Sequence, residues 1–171
     1  MGQHQKHDYI ASGEALSGDD LLPDEALRGK AAMCRELAAS YEPMFKAILL
    51  PVAAYFAITV VMHLVFGAGP YSTLMALSSA GTALGFLALG IEVRRGESSY
   101  RKLEMIGFAA FGLAYLNLAT AQVLHPEPTK FFYFVLVMMI VTIFGISIRL
   151  VTAAIVLSVA TMLLFAGRYG S

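Results

Sequence analysis

Residues 131–166 read FFYFVLVMMIVTIFGISIRLVTAAIVLSVATMLLFA, thirty-six positions with a single charge, Arg149. As one helix this run would be about 54 Å long at about 1.5 Å per residue. The hydrocarbon core of a bilayer is only about 30 Å thick. One crossing cannot use the whole run. Two short spans, 131–145 and 150–166, use it well, with Ile146-Ser147-Ile148-Arg149 at the bend between them. An arginine at a bilayer centre costs several kcal/mol, on the order of 3 or more, whereas at a turn it reaches headgroups or water.

The rest of the chain repeats the pattern. Between Ala47 and Val93 the only charge is Glu92, and between Met105 and Thr129 it is Glu127. The first span is read at residues 44–66 and is ended by Gly67-Ala68-Gly69-Pro70. The second is read at 71–93 and meets Arg94-Arg95. The third is read at 104–124 and stops at His125-Pro126-Glu127-Pro128. The expected fold is therefore all-α, an integral membrane bundle of about five transmembrane helices. None of the runs alternates with period two, so a barrel is rejected. Only helices and closed barrels satisfy every peptide group in lipid.

Composition agrees. The 171 residues are 58% hydrophobic and 14% charged, with a net charge of zero. Soluble domains average about 45–50% apolar and about 25% charged. No basic surface for nucleic acid is implied, and the lone Cys34 cannot form an internal disulfide. The partner to expect first is the lipid bilayer. A homodimer, or a membrane or cytoplasmic signalling partner, follows.

Loop 94–103 carries Arg94, Arg95, Arg101 and Lys102, while loop 67–70 is uncharged and loop 125–130 has only Lys130 as a basic residue. The positive-inside rule places loop 94–103 and the N-terminus in the cytoplasm of a bacterial inner membrane. Phe131-Phe132-Tyr133-Phe134 then reads as an outer interfacial belt.

The first 43 residues are polar, and no secretory signal peptide opens them. Residues 1–22 read as a flexible segment, rich in Ser, Gly and Asp without periodicity. Residues 23–43 read as an amphipathic cytoplasmic helix that starts at Pro23-Asp24-Glu25, with Leu27, Ala31, Cys34, Ala38 and Tyr41 on one apolar face. Pro43 and Pro51 are read as the approach to span one and a kink within it. The main bundle is then 44–171.

Polar groups inside such a bundle are the candidates for chemistry. His63, Asn117, Gln122 and His125 all fall toward the outer side and could line one small-ligand pocket. Two histidines also raise bis-histidine haem b or a metal. Against that, His125 sits in a loop beside Pro126 and no second histidine pair exists, so no cofactor is expected and plain interfacial placement remains open. His4 and His7 are read as incidental. Glu92, near the cytoplasmic end, is level with Arg149, and a structural Glu92–Arg149 ion pair would satisfy both. Gly81 and Gly85 form a GxxxG, and Gly107, Ala110, Gly112 and Ala114 place small residues in span three. Both sets permit close helix packing, within the bundle or at a dimer face. No phosphate loop, Ser/His/Asp set or paired carboxylates appear, so no catalytic residues are expected.

The stretch Leu116-Asn117-Leu118, then Leu124-His125-Pro126-Glu127-Pro128-Thr129, then Ser147-Ile148-Arg149-Leu150 resembles the N-terminal multi-spanning sensor region of bacterial GGDEF diguanylate cyclases and related sensor histidine kinases. Leu50-Pro51 opening span one and the basic loop after span two fit as well, and the likeness covers about residues 44–166. Such regions usually have one span more, followed by a cytoplasmic helix and an output domain. Neither a GGDEF signature nor a kinase motif is present here. The resemblance implies a membrane-embedded signal-input module without enzymatic activity of its own. The alternative is a small membrane scaffold or complex subunit.

Overall fold

The computed structural model describes residues 23–67, 69, 71–96, 98–124, 127 and 131–169. The expected flexible segment 1–22, with His4 and His7, lies outside them, and so does His125. Five helices follow in order: α1 Pro23–Phe66, α2 Ser72–Arg94, α3 Tyr100–Leu124, α4 Phe131–Phe144 and α5 Ile148–Tyr169. No strand occurs among the described residues. Residues Met1–Met33 and Cys34–Ser171 form two compact units. The first contributes only the opening turns of α1 to the described residues. Everything below concerns the second.

Four helices, α1, α2, α3 and α5, are long and apolar enough to cross a membrane. α4 matches the expected short span 131–145 to within a residue but is not among the helices long enough to cross. Its 14 residues make a helix of about 21 Å, short of the roughly 30 Å hydrocarbon core. Glycine at 145 ends it early. A Cβ there would sit 2.4 Å from the Val141 carbonyl oxygen and 2.6 Å from a Val151 methyl. The expected bend is thus present, and Ser147 completes it. Its hydroxyl accepts the Leu150 N–H at 3.3 Å, the arrangement of a helix N-cap. Ser99 does the same for α3, accepting the Lys102 N–H at 3.3 Å.

α1 passes through Pro43 and Pro51 without interruption. Both prolines are exposed on the outer side of the helix. The opposite face supplies Phe45, Leu49 and Ala53 to a core with Phe86, Val93, Leu103 and Ile106. A second core joins Phe111 and Tyr115 of α3 to Phe134, Leu150 and Ala154. α3 therefore belongs to both cores. It packs directly on α2, α4 and α5.

The distribution of polarity is inverted relative to a protein folded in water. Ser79, Gln122 and Ser158 are fully buried, while Leu77 is 69% exposed and Leu164 is 74% exposed. An apolar exterior of this extent aggregates in water. It is consistent with contact with a lipid bilayer, where interior polar side chains hold helices together.

Candidate functional site

The end of the bundle that carries Arg94, Arg95, Arg101 and Lys102 is called the basic end here. Three hydrogen bonds tie separate elements together there. Arg94 Nη2 donates to the Lys46 carbonyl at 3.0 Å. The Ser98 N–H donates to Glu42 Oε2 at 3.4 Å. Tyr100 Oη donates to the Ile146 carbonyl at 3.0 Å. The first fastens the end of α2 to α1, the second fastens the α2–α3 connection to α1, and the third fastens α3 to the α4–α5 turn. Glu42 also pairs with Lys46 Nζ at 2.5 Å. It lies just before the apolar stretch of α1, and the hydrogen bond from Lys46, helped by that from Ser98, holds its carboxyl below the usual range. Spacing by four residues makes the Glu42–Lys46 pair legible in sequence. The ties to residues some fifty positions away are not.

Glu92 does not pair with Arg149. Its carboxylate meets Lys102 Nζ at 2.6 Å, and Lys102 Nζ also donates to the Glu92 carbonyl at 3.4 Å. The correction has a topological cause. The α2–α3 hairpin brings Lys102, ten positions away, back across from Glu92. Arg149 instead occupies the first turn of α5, where it is exposed. Among the described residues it makes no ion pair.

Beneath the ties lies a cleft of about 400 Å³ lined by α1, α3, α4 and α5, with Phe86 of α2. Its wall is entirely apolar or glycine, including Phe45, Leu49, Gly107, Ala110, Ala114 and Val141. The small residues of α3 make room for it. A Cβ at Gly107 would stand 3.1 Å from Leu150 and 3.6 Å from Phe45. These residues were read from sequence as allowing close packing. Gly107 does pack closely, while Ala110 and Ala114, further along, are half-buried against the first core and line the cleft. Of the GxxxG pair, Gly85 abuts Leu113 within the bundle, whereas Gly81 has nothing within 4 Å. A cleft such as this, within the roughly 300–1,000 Å³ of small-molecule sites, can hold an apolar molecule and offers nothing to orient a polar one.

Of the four polar residues expected to share an outer pocket, His63, Asn117 and Gln122 are described, and each has partners of its own. Asn117 Nδ2 donates to Ser78 Oγ at 3.2 Å and to Ser79 Oγ at 3.3 Å, joining α3 to α2. Gln122 is buried and its Nε2 donates to the Glu127 carbonyl at 3.3 Å. His63 is half-buried at the end of α1, and its carbonyl accepts the Ser72 hydroxyl, closing the α1–α2 turn. Among the described residues no hydrogen bond links these three to one another. Nor do three His, Cys, Asp or Glu side chains gather among them. Sequence reasoning missed a further polar contact, Tyr115 with Thr161 and the Leu157 carbonyl, which joins α3 to α5. A tyrosine in mid-span is the only signal that pointed to it.

Compared with known proteins, the chain matches no protein-family model, no curated sequence and no solved structure. The fold and its surface define a helical bundle of membrane type.

Proposed function

We propose that this chain is a membrane-embedded signal-input module that spans a bacterial inner membrane five times, with its basic end in the cytoplasm. The signal is an apolar or amphipathic small molecule that enters the cleft. The cleft is the observation that carries the reading. It is apolar throughout, lined by residues of all five helices, and adjoins the ties at the basic end. The resemblance to cyclase and kinase sensor regions, and the run of basic residues at 94–102, support the same reading. α4 completes the fifth crossing as a short helix, by local thinning of the bilayer or reaching of its flanks to the headgroups. The module acts on an output domain or partner and does no chemistry itself.

Occupancy of the cleft pushes α1 away from α3 and α5, and the ties transmit that movement to the cytoplasmic loop. The test fills the cleft from within. Ala110→Phe places an aromatic ring in it without any added ligand. Spin labels on exposed Ala39 and Arg101 report the distance between α1 and the α2–α3 connection in reconstituted vesicles. A shift in that distance for Ala110→Phe, and not for a substitution at the outward-facing Leu77, is expected. An unchanged distance in a folded variant would count against the input reading and favour a scaffold.

A further inference from the structure

A second cavity lies outside the cleft, on the surface of the α2–α3 hairpin at the basic end. It measures about 470 Å³ and is lined by Ser99, Arg101 and Lys102 at its mouth and by Leu89, Met105 and Ala109 along its wall. We infer that this groove binds one anionic phospholipid of the bilayer, with its phosphate at Arg101 and Lys102 and an acyl chain along α3.

The geometry points to an amphiphile. Residues 101, 105 and 109 recur at four-residue spacing on one face of α3, so charge at the mouth gives way to apolar wall within about 12 Å at about 1.5 Å per residue. The order matches that of a phospholipid, headgroup first and chain below. Arg101 is exposed and makes no ion pair among the described residues, so its guanidinium is available for bidentate contact with a phosphate. Lys102 is held at the rim by Glu92 and has a further N–H to offer. The mouth also coincides with the first turn of α3, whose dipole favours an anion. Met105 is 66% exposed, and its side chain therefore belongs to the same surface that meets lipid. A soluble phosphate would use the mouth and leave the apolar wall idle.

Glu92 gives the inference a distinctive signature. Its carboxylate sits in the groove and opposes a phosphate both by its charge and by engaging Lys102. Removing that charge strengthens lipid binding even though it breaks an ion pair. Removing the charge of Arg101 weakens it even though no ion pair among the described residues is lost.

The inference rests on the bilayer placement proposed above, and the experiment separates the two. The chain contains no tryptophan, so Met105→Trp gives a single reporter in the groove. The full chain carrying it is reconstituted in phosphatidylcholine vesicles with a minor fraction of phosphatidylglycerol, one or the other lipid bearing brominated chains. Flotation with the vesicles checks the placement first. Brominated phosphatidylglycerol is expected to quench far more strongly than brominated phosphatidylcholine at equal fraction. Arg101→Gln is expected to lower that preference about fivefold, the typical contribution of one basic residue at an anionic surface. Glu92→Gln is expected to raise it.

Equal quenching by the two lipids in a protein that floats would overturn the groove and leave the placement standing. Failure to float would overturn both. Displacement of the brominated lipid by millimolar inorganic phosphate would reassign the mouth to a soluble anion and overturn the lipid site.

Discussion

Tyr115 separates the contributions of a hydroxyl and a ring at the centre of the bundle. Its ring is buried between Phe111 and Phe134, with centroids 5.6 Å from each. Its hydroxyl donates to the Leu157 carbonyl at 3.1 Å and touches the Thr161 hydroxyl. Tyr115→Phe removes only the hydroxyl. The Leu157 carbonyl keeps the Thr161 hydroxyl at 2.9 Å, so no buried acceptor is orphaned. The cost should stay near the average for polar contacts between membrane helices, about 0.6 kcal/mol, and below about 1.7 kcal/mol. Tyr115→Ala removes the ring as well and leaves a void against Phe134, a fully buried side chain. Emptying an aromatic site of this kind costs about 3–5 kcal/mol. Thr161→Val in the Tyr115→Phe background should add more than it does alone, because only there does the Leu157 carbonyl lose both hydroxyls. Unfolding of the reconstituted chain by SDS, followed by circular dichroism, measures all four variants. A Tyr115→Phe loss as large as that of Tyr115→Ala would refute the assignment of stability to packing in the second core.

Three further outcomes are expected. Gly145→Ala puts a methyl group 2.4 Å from the Val141 carbonyl oxygen and should destabilise the same transition by about 1–3 kcal/mol. Gly81→Ala meets nothing within 4 Å and should leave the transition unchanged or stabilise it by up to about 1 kcal/mol, so equal losses from the two would contradict the packing. Ser147→Ala should cost about 1 kcal/mol through loss of the cap on α5, seen first as faster hydrogen exchange at the Leu150 N–H. The Glu42 carboxyl is held below its ordinary pKa by Lys46 and Ser98. Its contribution is therefore complete above the unfolded-state pKa and is lost as pH falls through the lower folded-state value. Loosening of the Ser98 N–H on acidification should disappear in Glu42→Gln, and persistence there would assign the pH effect to another group.

The helices were legible because their cause is local and repeated. Each apolar run is bounded by glycine, proline or basic residues, and the ends of α2, α3 and α5 fall within a few residues of those breaks. The bend at residues 145–147 was legible because thirty-six apolar positions are too many for one crossing and only Arg149 needed water. The side-chain partnerships were less so. Glu92 and Arg149 were paired on depth alone, but azimuth around each helix decides such a contact, and the hairpin turns Lys102 to Glu92. Grouping His63, Asn117 and Gln122 rests likewise on position along the spans. Asn117 is drawn to two hydroxyls on α2 and Gln122 to a carbonyl in the following connection, because a buried amide takes the nearest acceptor or donor that its own face offers. The cleft left no sign beyond small residues in α3. Small residues can equally signal close packing, and Gly107 against Leu150 shows both outcomes side by side.

The position of the cleft relative to the ties bears on the proposed signal-input role. Phe45 lines the cleft and stands between Glu42 and Lys46, whose carboxylate and carbonyl receive the α2–α3 connection. Leu150 lines it from the other side and is the residue whose N–H Ser147 caps, next to Ile146, whose carbonyl receives Tyr100. A displacement of either wall therefore moves an atom to which a tie is attached, with no intervening element to absorb it. Packed interiors respond to such displacements by switching between discrete arrangements rather than by stretching. A molecule that binds both arrangements equally shifts nothing, however tightly it binds. On the proposed input reading, the ligands that signal are those whose bulk falls between Phe45 and Leu150, both of which a Cβ at Gly107 would meet within 4 Å. A ligand seated only against Ala114 and Val137, further from the basic end, should bind without effect. Gly107→Ala, which narrows the space at the effective position, should abolish the response to ligand while leaving occupancy of the remaining cleft measurable. Loss of binding and of response together, in equal proportion, would show that the cleft acts as one volume and that the coupling does not depend on where within it the ligand lies.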